Sequence, residues 1–177
     1  MKSLRIGAVL MILAGLAFAQ DATKDVSSSA ARDLLSVAQS DESLSMFVTA
    51  TQSGGLAKML REEGPFTVFA LSNRAFTNLS KKDMEVLLSN RAAMHVLLAR
   101  YVVRGNVSEN NTAELESART LLGVKLRTDV RSEGDYVNGA KLNQPGISCG
   151  NGMIFVLDRF DPALVHEAVA LANRTKH

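Results

Sequence analysis

The run Gly64-Pro65-Phe66-Thr67-Val68-Phe69-Ala70-Leu71-Ser72-Asn73-Arg74-Ala75-Phe76 limits what this chain can fold into more than any other stretch. Gly64-Pro65 is a turn, because Gly tolerates unusual dihedrals and Pro fixes its own. Phe66 to Ala70 is a short apolar run with β-branched Thr67 and Val68, which suits a buried strand. Leu71-Ser72-Asn73 leaves the strand, and Ser72 or Asn73 can cap a helical turn that carries Ala75 and Phe76. These side chains are suited to packing rather than to chemistry.

The chain has 177 residues, enough for one domain with a real core. Its hydrophobic share of 46% and charged share of 21% exclude a disordered polymer. The first residues read as an export signal. Lys2 and Arg5 make a basic start, Ile6 to Leu16 an apolar run, and Ala17-Phe18-Ala19 a small-x-small cleavage pattern. That run is short for a membrane span. Residues 1–19 are therefore expected to be removed, with a polar leader over 20–32, one domain over 33–168 and a tail over 169–177. The expected location is extracellular or periplasmic. Lys2 and Arg5 are the bases that precede Gln20, and all 18 acidic groups follow it. The processed chain then carries equal numbers of bases and acids, and no long basic run. Capture of nucleic acid is not expected, and neither is stable membrane insertion.

Periodicity changes along the chain. Leu34, Leu35, Val37 and Ala38 open a helical face, and Ser40 or Asp41 can cap a second helix carrying Leu44, Phe47 and Val48. Leu56, Met59 and Leu60 form another. Ser80 with Asp83 is a weaker form of a capping box, before Met84, Val86, Leu87 and Leu88. Asn90 starts the next helix, and Tyr101-Val102-Val103 reads as a strand. Leu122, Val124, Leu126 and Thr128 alternate with polar or small residues, which predicts a half-buried strand. Tyr136-Val137, Ala140 to Leu142 and Met153 to Leu157 are further strands. Asn138-Gly139 and Asn151-Gly152 are tight-turn dipeptides. Helices first and strands later predict an α+β domain.

Motifs for chemistry are incomplete. Gly146-Ile147-Ser148-Cys149-Gly150 fits the G-x-S-x-G pattern of a hydrolase elbow, which needs a strand before the serine and a helix after it. Asn143-Gln144-Pro145 precedes it and a turn plus strand follows, so a Gly-rich connection between strands is favoured. His166-Glu167 begins H-E-x-x-H, but Ala170 occupies the second ligand position. No cofactor or metal site is expected. Cys149, the only cysteine, reads as a small buried hydrophobe in preference to a reactive or dimer-forming thiol.

The signature run resembles the first block of the fasciclin-like (FAS1) domain family, roughly G-P-F-T-V-F-A-P-T-[ND]-x-A-F, with Leu71 and Ser72 in place of Pro and Thr. Val96 to Gly105 is similar to the family's L-L-x-Y-H-V-V-x-G block. Thr120-Leu121-Leu122-Gly123 and Val137-Asn138-Gly139-Ala140 are similar to its T-L-x-G and V-N-G-A steps. Asn151 to Asp158 resembles the closing N-G-V-I-H-V-I-D. Val102 and Phe155 replace two family histidines. The resemblance covers about 33 to 165. It implies short helices packed on a wedge-like β-sandwich, with Phe66, Val68, Phe69, Asn73, Phe76, Asn138, Gly139, Asn151 and Gly152 as the structural motif. It also implies a secreted or surface-associated, non-catalytic adhesion module that binds a cell-surface or matrix protein or polysaccharide. The receptor-contact positions of some members map to Tyr101, Val102, Pro145 and Ile147; a core role for Tyr101 and a packing role for Ile147 is the preferred reading. Two other functions stay open: an exported hydrolase using Ser148, and a carrier of a small apolar ligand.

Overall fold

A computed structural model describes residues 32–107, 116–132 and 134–174. Seven helices and six strands are named here among those residues. The helices are α1 (Leu34–Gln39), α2 (Ser45–Gly54), α3 (Ala57–Glu62), α4 (Asn73–Thr77), α5 (Lys81–Ser89), α6 (Arg91–Ala99) and α7 (Pro162–Arg174). The strands are β1 (Phe66–Leu71), β2 (Val102–Arg104), β3 (Thr128–Arg131), β4 (Gly134–Val137), β5 (Ala140–Cys149) and β6 (Gly152–Leu157).

Short polar side chains start most of the helices. The Asp33 carboxylate accepts from Ser36 N–H, Ser72 Oγ from Ala75 N–H, Ser80 Oγ from Asp83 N–H and the Asn90 carbonyl from Ala93 N–H. Each satisfies a donor that the first helical turn leaves unpaired. Ser80 Oγ also donates to Asp83 Oδ2 at 2.7 Å, so the acid three residues on does complete the predicted cap.

The strands follow the order β2-β1-β6-β5-β4-β3. The β1–β6 pair is parallel and the rest are antiparallel. All six residues of β1 are buried, as a central strand covered on both faces requires. Phe69 stacks on Phe155 of β6 at 5.8 Å between ring centroids. Phe76 and Tyr101 each meet the ring of Phe160 edge-on. The core is a single cluster drawn from the helices and the sheet, including Phe47, Phe66, Leu98 and Val165.

Two asparagines join distant segments. Asn151 accepts from Leu34 N–H at 2.8 Å and donates to Leu60 O at 3.0 Å and Glu63 O at 2.8 Å. It thus ties α1 and α3 to the β5–β6 corner. Asn73 accepts from Met46 N–H at 2.9 Å and donates to Glu42 O at 2.9 Å, so it locks α4 against the start of α2. Ser72 is the cap, and Asn73 is the bridge.

The structure departs from the sequence expectations in four places. Leu122 to Leu126 is not a regular strand: Gly123 N–H closes a turn on Thr120 O at 2.8 Å, a single bridge joins Arg119 to Lys125, and the ladder begins at Thr128. Leu122 and Val124 are exposed, while Leu126 is buried. Gly146 to Cys149 is not a connection but part of β5. The β5–β6 turn is Gly150-Asn151, because Cys149 pairs with Gly152 and Gly152 opens β6. Helix α7 crosses the boundary drawn at 168 and continues to Arg174, with Ala168 and Ala172 buried. The expected signal and leader lie outside the described residues, apart from Arg32.

Candidate functional site

The contact positions implied by the family resemblance do not form one surface. Tyr101 is fully buried and its hydroxyl accepts from Asp161 N–H at 3.4 Å. Burial holds its phenol protonated far above the usual range. Val102 is also buried. Neither has surface to offer a partner, which corrects that expectation and agrees with a core role for Tyr101. Pro145 is exposed and Ile147 is half-buried against the core. Both belong to β5, which β1 and β6 separate from β2 in the sheet. The register of β5 against β6 shifts between Asn143 and Ile147, leaving Gln144, Pro145 and Gly146 opposite Phe155. Pro has no N–H to donate, so a bulge is where a sheet tolerates it.

The other motif residues have structural work. Phe66, Val68, Phe69 and Phe76 are core. Asn138 and Gly139 form the β4–β5 turn at φ 50° and 76°, the positive values that this dipeptide tolerates. Gly152 lies where an added Cβ would be 1.9 Å from Phe66 O. Only a residue without a side chain lets β1 and β6 pair there.

Ser148 sits within β5, followed by a turn into β6, where a nucleophile elbow has a helix. The described histidines are engaged elsewhere. His95 Nδ1 bonds Gly54 O at 2.8 Å, and His166 Nε2 lies 3.4 Å from Asp83 Oδ1. The elbow reading fails on geometry. Cys149 is buried beside Ile147 O, and burial pushes its thiol up to about 11.

A different surface presents unsatisfied apolar area. Helices α2, α4 and α5 enclose a groove of about 650 Å³ lined by Met46, Phe76, Leu79, Met84 and Leu88. A smaller recess of about 180 Å³ shares Met46, Phe76, Met84 and Leu88 and reaches Met94. Leu88 is 66% exposed, although its neighbour Leu87 is fully buried. Lys81 and Glu85 stand among the lining residues, one of each sign. Sequence reasoning missed this surface because it took Met84, Val86, Leu87 and Leu88 as one short helix without assigning its faces. The available signal was adjacency: consecutive residues on a helix diverge by about 100°, so Leu87 and Leu88 could not both sit at the centre of a core face.

Comparison with known proteins matches these features. The fasciclin domain family model matches residues 42–160. The protein sll1735 of Synechocystis is 32% identical over 126 residues, covering 71% of this chain and 94% of that protein. Transforming growth factor-beta-induced protein ig-h3 of Sus scrofa is 29% identical over 125 residues, 71% of this chain but 18% of that protein. Among solved structures, a FAS1 domain pair from the insect cell adhesion molecule fasciclin I superposes with a TM-score of 0.60 at 17% identity, covering 72% of this chain and 50% of that one. The α+β architecture is therefore the FAS1 fold, and the chain belongs to the fasciclin domain family.

Proposed function

We propose that this protein is an exported, non-catalytic interaction module that binds a partner protein at the cell surface or in the surrounding matrix. The groove of Met46, Phe76, Leu79, Met84 and Leu88 is its contact surface. The observation that carries the reading is the groove itself: a methionine-lined slot with an exposed leucine. Methionine side chains are flexible and polarizable, and adapt to the apolar side chains of another protein. The mixed charges at Lys81 and Glu85 favour neither sign of ligand, so apolar contact decides the fit. The fasciclin I neighbour, from a cell adhesion molecule, supports the same class of role. Residues 1–19 serve as the export signal, and the module runs from 33 through the end of α7 at Arg174.

The test is adhesion. Beads coated with the processed protein are applied to intact cells of the producing strain or tissue, with Leu88→Glu and Met84→Glu coatings alongside. Burying a charge against an apolar partner is costly, so retention of the variants should fall to about a tenth or less, with circular dichroism unchanged. Wild-type beads held no better than albumin-coated beads would refute the role. N-terminal sequencing of the exported protein should begin at Gln20, and an intact Met1 there would remove the signal assignment.

A further inference from the structure

Helix α5 presents one stripe to the groove. Lys81, Met84, Glu85 and Leu88 line it together, and their spacing of i, i+3, i+4 and i+7 puts them on one face of the helix. Leu87 faces the core instead, and Asp83 is taken up by Ser80 Oγ and lies 3.4 Å from His166 on α7. Lys81 and Glu85 are exposed, and among the described residues neither is in an ion pair. Along the helix the stripe therefore reads cation, methionine, anion, exposed leucine.

That order is selective. A protein that fills the groove must cover Met84 and Leu88 and also meet a cation and an anion one helical turn apart. A purely apolar peptide would leave both charges unanswered, and a segment of one sign would be opposed by one of them. The stripe of α5 itself, run in the opposite direction, supplies the counterpart of each.

Resting on the groove as the contact surface, we infer that its occupant is a second copy of this chain. The two α5 helices pack antiparallel about a two-fold axis between Met84 and Glu85. Lys81 of each copy then stands across from Leu88 of the other. Glu85 of the other copy is three residues from that leucine, about 4.5 Å along the helix. The lysine stem covers the leucine while its ammonium reaches the glutamate. The two Met84 side chains flank the axis, and each Leu88 enters the groove of the other copy, the helix-in-groove mode of recognition. Symmetry makes every contact twice, so the face is complementary to itself. One helix from each copy is a small contact, and the association is correspondingly weak. The charges act mainly on specificity, because opposed like charges cost more than a pair at the rim contributes.

Sedimentation equilibrium of the processed chain tests the inference. The average mass should rise from one chain toward two between about 1 μM and about 1 mM. Leu88→Glu should weaken association at least about tenfold. Lys81→Glu sets four acids against one another across the axis, and Glu85→Lys sets four bases, so each variant alone should also lose about tenfold or more. An equimolar mixture of these two variants should pair to within about threefold of wild type, because each now offers what the other lacks. Both positions are exposed, so the urea midpoints should match wild type. Loss of a contact within one chain would not be mended by mixing. A chain still monomeric at about 1 mM, or a mixture no better than its components, would overturn the second copy. If beads are held on cells through Leu88 while the chain stays monomeric, the groove keeps its role and only the second copy falls. If the mixture pairs but wild-type beads are not held, the pairing stands and the cell-surface partner falls.

Discussion

Replacing Gly152 by alanine should do more damage than any other single methyl group added to this sheet. Gly152 pairs with Phe66 in the parallel β1–β6 ladder, at φ 155°. The new Cβ would stand 1.9 Å from Phe66 O and 2.9 Å from Phe66 C. An ordinary carbon–oxygen contact is about 3.3 Å, so the strands must separate locally by about 1.4 Å. That opening breaks roughly two ladder hydrogen bonds at about 1 kcal/mol each, and strained backbone adds about 1–3 kcal/mol. The total is about 3–5 kcal/mol, near the top of what single substitutions cost. Gly139→Ala is the matched control. Gly139 also has positive φ, 76°, but a Cβ there meets nothing within 4 Å, so only the left-handed backbone term of about 1–2 kcal/mol applies. Urea unfolding followed by far-ultraviolet circular dichroism measures both. At about 3 °C per kcal/mol, thermal midpoints should fall by about 10–15 °C and about 3–6 °C. Equal losses for the two variants would show that contact with Phe66 O does not dictate Gly152.

Other outcomes follow from the same contacts. Asn151→Ala should cost about 2–3 kcal/mol in urea unfolding, because Leu34 N–H and two carbonyls lose their partner at once. Cys149 should resist thiol-specific reagents at pH 8 until the protein is unfolded, since burial and then the Asp33 charge raise its pKa to about 11. The stability gained by keeping that thiol neutral is whole below pH 9, its unshifted value, and is lost as pH rises through about 11; a flat urea midpoint between pH 8.5 and 11.5 would contradict this. At Asp33, burial raises the pKa, but hydrogen bonds from Ser36 and Leu35 and the Arg61 charge outweigh it, and the net shift is downward from 3.8. Its contribution is therefore complete above pH 3.8 and lost as pH falls below that value; Asp33→Asn should flatten this part of the acid-unfolding profile.

What the sequence disclosed was mostly local. Strand β1 was legible because an unbroken apolar run between a Gly-Pro turn and a serine has few other uses. The caps at Ser80 and Asn90 were legible because each acts within three residues. Asn73 and Asn151 could be named from the motif, but not their partners, which lie on segments far along the chain. The alternation at Leu122 to Leu126 misled because period two needs a neighbouring strand to become a ladder, and the turn at Gly123 removes it. A core role was the preferred reading for Tyr101, which meets Phe160 edge-on, but the burial of Val102 on β2 is a tertiary fact that no spacing rule encodes. The groove was hidden for the same reason: one leucine of an adjacent pair belongs to the interior and the other to solvent, and which is which depends on how α5 is rolled against α6 and α7.

The pairing of Phe66 with Gly152 sets a timetable for the chain. The middle of the sheet waits for a segment made near the end, so a growing or threading chain cannot close its interior early. Until β6 arrives, the apolar side chains from Phe66 to Leu71 lack their main neighbour and are open to wrong partners. Any version cut short before Leu157 should therefore be sticky rather than merely less stable.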